Sequence, residues 1–234
     1  MATGAGAGAN ASHGHVTDLS LGAGWRKSNG LGREWQSGRE AGSDGWLHLA
    51  SQYQCSPALV DTLLQLDPGS AQEKNGDGVH ALHLAARHNA APELVGRLLQ
   101  DHPGALQKRC EDGNMPLHWA LRHKADAEVV RQLLEAHPEA AEAPNRNGDL
   151  PLHLAARSGV SPDFVEWLLA CHPCGARTKN NQNDLPLHLA ARHKAKWEIV
   201  EQLLLAYPQA VKRIDSGVSS APRLWWSRAI TITP

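Results

Sequence analysis

Residues 149–157 read DLPLHLAAR, and the same nine residues recur at 184–192, which begins 35 positions further along the chain. A motif written twice can carry chemistry at each copy, or it can mark a structural unit that is stacked. Three residue types keep the step of 35 through five copies: His48, His83, His118, His153 and His188; Ala50, Ala85, Ala120, Ala155 and Ala190; Val60, Val95, Val130, Val165 and Val200. A fixed period of this length indicates stacked supersecondary units rather than isolated sites.

The first part of each unit is predicted to be a short helix. Pro151 suits the first helical turn, where the missing N–H of proline is not needed. Leu152, Ala155 and Ala156 have helical spacing, so they form one face that allows a neighbouring helix to approach closely. Gly159 is expected to end this helix.

The second part of the unit is predicted to be another helix. It begins at Pro162, and Asp163 lies near the positive end of the helix dipole. Val165 and Leu168 belong to an apolar stripe at helical spacing. Pro173 closes this helix, and prolines close the second helices of the other units at the same register.

The connectors between units are rich in turn-forming residues, as in the stretch 180–184. Helix, turn, helix and a turn-rich connector, with PLHLAA opening the first helix, resembles the ankyrin repeat, whose unit of about 33 residues has the pattern T-P-L-H-x-A. The resemblance implies an all-α solenoid with hairpin-like connectors. The chain departs from the family in its longer step and in having Leu150 and Leu185 where the family has threonine. The alternative architecture is a plain solenoid of helical pairs whose connectors form no β-like turn.

The chain is predicted to have three parts. Residues 1–40 are rich in Gly and Ala and poor in core-forming side chains, so we expect them to be disordered. The repeat domain spans 41–213, with units at 41–73, 74–108, 109–143, 144–178 and 179–213. Residues 214–234 start a sixth unit and then depart from the pattern. The last full unit is therefore expected to leave an apolar flank around Leu189, Ile199 and Leu203 partly uncovered, where copies of the chain could associate.

Composition and charge exclude several classes of function. The formal net charge is −1, and residues 74–213 hold 17 Lys and Arg against 16 Asp and Glu, which is unlike a surface that binds nucleic acid. No apolar stretch is long enough to cross a membrane, and the first residues do not read as a secretory signal. The four cysteines are therefore expected to be reduced thiols in an intracellular protein, cytoplasmic or nuclear. No cofactor and no catalytic activity are expected.

The repeated histidines are not predicted to bind metal. Helices of neighbouring units lie about 8–10 Å apart, whereas a histidine–zinc bond is about 2 Å long. We expect these histidines to bond to backbone in the turns between units. Cys171 and Cys174 form a C-x-x-C pair that occurs once, so a thiol-redox or metal-binding protein remains the alternative function.

The resemblance to ankyrin repeats implies a non-enzymatic interaction module or adaptor that binds another protein through the concave face of the stack. That face is formed by the first helices and the tips of the connectors. The residues at these positions are predicted to bind the partner: Arg87, His88, Arg122, His123, Arg157, Arg192, His193, Asp77, Asp112, Asp149 and Asp184. The alternative is that the arginines complement the helix dipole and pair with those carboxylates.

Overall fold

The computed structural model describes residues 45–210, and in that range it contains ten α-helices and no strand. The helices are α1 (Trp46–Gln52), α2 (Pro57–Leu66), α3 (Ala81–Arg87), α4 (Pro92–Asp101), α5 (Pro116–His123), α6 (Ala127–Ala136), α7 (Pro151–Ser158), α8 (Pro162–Cys171), α9 (Pro186–Arg192) and α10 (Trp197–Ala206). The predictions for 1–40 and 214–234 lie outside the described residues.

The helices form two layers. The first helix of each unit packs against the first helix of the next unit, in the order α1, α3, α5, α7 and α9. Second helices of neighbouring units pack against each other at α2–α4, α4–α6 and α8–α10. Each first helix also packs against the second helix of its own unit. The prediction of an all-α repeat solenoid is confirmed.

Small residues allow the first helices to pack closely. Ala155 and Ala156 in α7 are fully buried, and Leu152 beside them is 2% exposed. Pro151 is the first residue of α7, as predicted, and Gly159 ends the helix in the left-handed conformation. Val130 in α6 is also fully buried, which confirms its expected place in the core.

In every unit, one residue just after the first helix has a positive φ, in the left-handed region. Gly159 is the one glycine among these five residues. The other four are Gln54 (φ 52°), Asn89 (φ 54°), Lys124 (φ 59°) and Lys194 (φ 54°). A side chain in this region of φ is strained because its Cβ lies close to the backbone carbonyl. The helix-to-helix turn therefore imposes the same backbone shape whether or not the sequence supplies glycine.

Gly159→Ala is expected to lower the free energy of unfolding by about 1 kcal/mol, since the new Cβ would sit at φ +62°. No atom lies within 4 Å of that Cβ, so the whole effect comes from the backbone. Gly96→Ala is the matched control. Gly96 lies inside α4 with equally open space, and there alanine is expected to raise stability by about 0.5–1 kcal/mol. Urea unfolding of both variants measures this, and equal shifts of the same sign would contradict it.

A short 3-10 helix follows each second helix, which the sequence analysis did not anticipate. Pro173 does not close α8, which ends at Cys171; it begins the 3-10 helix Pro173–Arg177. Proline suits that position for the same reason that it suits the start of an α-helix: its N–H would have no partner there. The prediction for Pro173 is thus wrong in role, although the end of the helix is close to where it was expected.

Each connector then folds into a tight hairpin-like turn. In one of them the Asn145 N–H donates to the Asp149 carbonyl (3.0 Å) and the Gly148 N–H donates to the Asn145 carbonyl (3.0 Å). The side-chain oxygen of Asn145 accepts from the N–H groups of Asn147 and Asp149, both at 2.9 Å. The same backbone pattern occurs at Asn75, Cys110 and Asn180. The alternative of a solenoid without such turns is therefore overturned.

Neighbouring connectors also bond to each other. The Arg146 N–H donates to the Asp112 carbonyl, and the Asn181 N–H donates to the Asn147 carbonyl, both at 3.0 Å. Gly148 permits this close approach, because a Cβ there would lie 2.8 Å from the Asn181 nitrogen. The last three of the four described connectors are thus joined by hydrogen bonds along one edge of the stack.

The repeated histidines join consecutive units, as expected. In three of them Nε2 donates to a backbone carbonyl 31 residues ahead: His48 to Val79 (2.9 Å), His83 to Asn114 (3.1 Å) and His153 to Asp184 (3.2 Å). At His153 the other ring nitrogen, Nδ1, accepts from the Leu150 N–H (3.1 Å). A ring with one accepting nitrogen and one donating nitrogen is neutral, and the two bonds fix its tautomer.

Burial keeps these rings uncharged. It lowers the pKa of His83 and of His118 to about 4, and it lowers the pKa of His153. Hydrogen bonds to backbone act in the opposite direction and only partly offset the loss of solvation. The histidine ladder therefore serves the fold.

The expected apolar flank in the last unit is not observed. Leu189, Ile199 and Leu203 are 4%, 0% and 1% exposed. Ile199 and Leu203 lie on α10, which packs against both α9 and α8, so their side chains are directed into the stack rather than away from it. The large apolar side chain exposed on α10 is Leu205, at 64%. Self-association through an uncovered Leu189–Ile199–Leu203 flank therefore loses its structural basis.

Candidate protein-binding site

The four arginines of the predicted binding face occupy the same place in consecutive units. Arg87, Arg122, Arg157 and Arg192 lie at the C-terminal ends of the first helices, and all four are exposed. Each is followed by two residues, none of which is acidic. We call the basic residues of these positions the basic strip: Arg87, His88, Arg122, His123, Lys124, Arg157, Arg192, His193 and Lys194.

The histidines of the strip respond to its positive charge. Burial lowers the pKa of His123 most, and the nearby Arg87 and Arg122 lower it further. The pKa of His193 is lowered in the same way, by burial and then by the arginines of its own and the preceding unit. At each of these two histidines, arginines from two neighbouring units therefore act on one imidazole.

The predicted pairing of arginines with connector carboxylates occurs at one place. Arg192 forms two hydrogen bonds with Asp184, at 2.7 Å and 3.0 Å. Within residues 45–210, Arg87, Arg122 and Arg157 form no ion pair. Pairing with a connector carboxylate thus accounts for Arg192 and leaves the other three arginines available to a partner.

The four predicted carboxylates fall into two classes. Asp77 and Asp112 are exposed on the connectors. Asp149 is 4% exposed and its Oδ1 accepts from the Asn180 side chain (2.7 Å), while Asp184 is 8% exposed and holds Arg192. The last two carboxylates therefore bind within the stack, and they occupy a repeat position two residues later than that of Asp77 and Asp112.

One residue of this region was missed by the sequence analysis. Trp119 lies on α5, where the equivalent positions of the four other units hold Leu49, Leu84, Leu154 and Leu189. Its ring is half-buried against a small cluster of Val79, Leu84 and Cys110. The sequence already shows that Trp119 is the one aromatic residue at this position of the repeat, where the other units have leucine.

Trp119 belongs to the basic strip by contact. The guanidinium carbon of Arg87 lies 5.1 Å from the centre of the Trp119 ring, a distance typical of a cation–π pair. The centre of the His123 ring lies 5.8 Å from that of the indole, and His83 meets the indole edge-on at 6.2 Å. The indole thus links the arginine of one unit with the histidine of the next.

The cysteine pair gives little support to a redox site. Cys171 and Cys174 are both exposed and unbonded to each other. Burial raises the pKa of the Cys171 thiol, which disfavours the reactive thiolate. The Cys174 sulfur accepts a hydrogen bond from Arg177 (3.0 Å). Among residues 45–210 no group of three His, Cys, Asp or Glu side chains could hold a metal ion.

Comparison with known proteins identifies the family. A family model described as ankyrin repeats (3 copies) matches residues 47–142 and again residues 124–215, which together exceed half of the 234-residue chain. A search of curated proteins gives no match. None of the helices described between residues 45 and 210 is long and apolar enough to cross a membrane. The chain belongs to the ankyrin-repeat family, whose members generally act as protein–protein interaction modules.

Proposed function

We propose that this protein is a non-enzymatic interaction module or adaptor that binds a partner protein through the basic strip and the adjoining connector tips, on the concave face of the stack. The observation that carries the proposal is the row of exposed arginines without carboxylate partners, Arg87, Arg122 and Arg157. Arginine is enriched among the residues that dominate binding energy at protein interfaces.

The repeated architecture supports this function in a second way. Residues 41–213 form the proposed binding domain, with five units in register. The stack holds equivalent side chains at regular intervals of about 8–10 Å on a backbone that is already folded, so several arginines can engage one partner and only their side chains need to be ordered. Exposed, unpaired thiols at Cys171 and Cys174 favour a reducing compartment, and we place the protein in the cytoplasm or nucleus.

Replacing Arg87, Arg122 and Arg157 with glutamate is expected to abolish capture of the main partner from a lysate of the native cell. Each substitution reverses the charge of a side chain and so replaces attraction to the partner with repulsion. Like charges that face each other across an interface cost several kcal/mol. The far-UV circular dichroism should stay native, since all three side chains are exposed. Quantitative mass spectrometry of captured proteins gives the readout.

The control reverses three exposed basic residues off the strip, Arg97, Lys108 and Arg177, which changes the net charge by the same amount. This variant should capture the partner as well as the wild type does. If both variants lose the partner equally, net charge is responsible. If the first variant keeps it, the strip is only a solvated surface and the proposed function fails.

A further inference from the structure

Trp119 is not required by the repeat. Three of the four equivalent leucines, Leu84, Leu154 and Leu189, are 3–5% exposed and complete the same helix packing. Trp119 instead is only half-buried, so part of its large ring stays in contact with solvent. A unit of this stack therefore folds with leucine at this position, and the aromatic ring is an addition to the scaffold.

The tryptophan also carries a cost to stability. Its indole N–H is buried and has no hydrogen-bond partner among the described residues. A buried donor without a partner is unfavourable for folding. A residue that breaks the repeat, exposes apolar surface and leaves a donor unpaired has properties that folding alone does not explain, and such departures concentrate at functional sites.

The surroundings of the ring indicate what it binds. Arg87 lies over it at 5.1 Å, and Arg122 and His123 follow it on the same helix. Arg87 and Arg122 have no carboxylate partner within residues 45–210. Apolar ring surface beside the uncompensated guanidinium of Arg87, with the uncompensated Arg122 three residues further along the same helix, is complementary to a negatively charged chain that also carries an apolar side chain.

We propose that Trp119, Arg87 and Arg122 form the centre of a docking groove for an acidic, extended segment of a partner protein. Carboxylates of that segment pair with Arg87 and Arg122, and an apolar side chain between them packs on the exposed part of the Trp119 ring. This inference rests on the proposed function and specifies the partner's chemistry. The four arginines span about 30 Å, which an extended segment of about 10 residues covers.

The first test separates binding from folding. Trp119→Leu restores the residue of the other units, so its urea midpoint should be at least equal to that of the wild type. Its affinity for an acidic peptide should nevertheless fall about tenfold or more, as for the loss of a central aromatic anchor. Trp119→Phe retains a ring without the N–H and should keep most of the affinity. A loss of affinity with Trp119→Phe equal to that with Trp119→Leu would contradict the role of the ring.

The second test uses defined probes with the full chain. A fluorescein-labelled peptide of about 10 residues, alternating Glu and Ser around one central Phe, is compared by fluorescence anisotropy with versions in which every Glu is Gln or Lys. A single-stranded oligonucleotide of similar length serves as a fourth probe. The Glu peptide should bind at least about tenfold more tightly than each of the others, and Arg122→Glu should remove that preference.

Tighter binding of the oligonucleotide would overturn the proposal in favour of nucleic acid. Equal binding of the Gln or Lys peptide, or no binding of the Glu peptide, would overturn it as well. These outcomes leave the proposed function standing if capture of the native partner still depends on the three arginines. Arg97→Glu, on the second-helix layer, should bind the Glu peptide as the wild type does.

Discussion

Acidification from pH 7 to pH 4 is expected to unfold the stack. His83 and His118 are fully buried, and burial holds the pKa of each at about 4, against 6.5 for a free histidine. Because the unfolded chain takes up these protons more readily, the stability from these neutral rings is complete above pH 6.5 and is lost as the pH falls toward 4. A pKa that is about 2.5 lower in the folded than in the unfolded chain corresponds to about 3 kcal/mol of unfolding free energy for each ring.

Two such losses reach about 6 kcal/mol, which is comparable to the whole stability of many domains. His153 adds to the effect in the same direction, since its pKa is also lowered. By pH 5 about 2 kcal/mol for each of His83 and His118 should already be gone. Urea unfolding followed by circular dichroism at pH 7.5, 6 and 5 measures this decline.

A solvent-exposed histidine provides the control. His193→Asn should leave the pH dependence of the unfolding free energy nearly unchanged, because most of its ring remains in water in the folded state. An unfolding midpoint that is the same at pH 7.5 and pH 5 would show that His83 and His118 can be protonated within the folded stack.

Val130→Asp is expected to prevent folding. Val130 is fully buried between units, so the substitution removes about 1.5–3 kcal/mol of side-chain burial and places a carboxylate where water cannot reach it. The desolvation of an unpaired charge costs several kcal/mol more. Far-UV circular dichroism at 25 °C should show loss of helix, and heating should give no cooperative transition.

Leu205→Asp is the control, because it also replaces an aliphatic side chain with aspartate but does so on the surface. Leu205 lies on α10 and is 64% exposed, so aspartate there should change the unfolding free energy by no more than about 0.5 kcal/mol. A melting curve of Val130→Asp that matches the wild type would mean that the unit has been misassigned.

The sequence was sufficient for those parts of the fold that repeat. The step of 35 placed Pro151 at a helix start, Gly159 at a helix end and the histidines between units, because identical environments select identical residues. It could not show that Pro173 begins a 3-10 helix, since proline suits the start of either helix.

The binding face was less predictable because its side-chain contacts depend on residues that differ from unit to unit. Asp149 and Asp184 occupy equivalent places one 35-residue step apart, yet Asp149 accepts from Asn180 of the next unit whereas Asp184 accepts from Arg192 of its own unit. Trp119 was visible in the sequence, but its significance depends on Arg87 lying over the ring. The residues of the strip remain predictions until a partner is tested.

The bonds of the histidine ladder all point the same way. At His48, His83 and His153, Nε2 donates to a carbonyl 31 residues ahead, so the first helix of each of these units is bonded to the connector of the next unit. Melting that begins at a connector consequently releases the helix before it in the chain. Because each such bond constrains both of its partners, melting of the helix frees the connector as well, and the bonds couple the stabilities of neighbouring units.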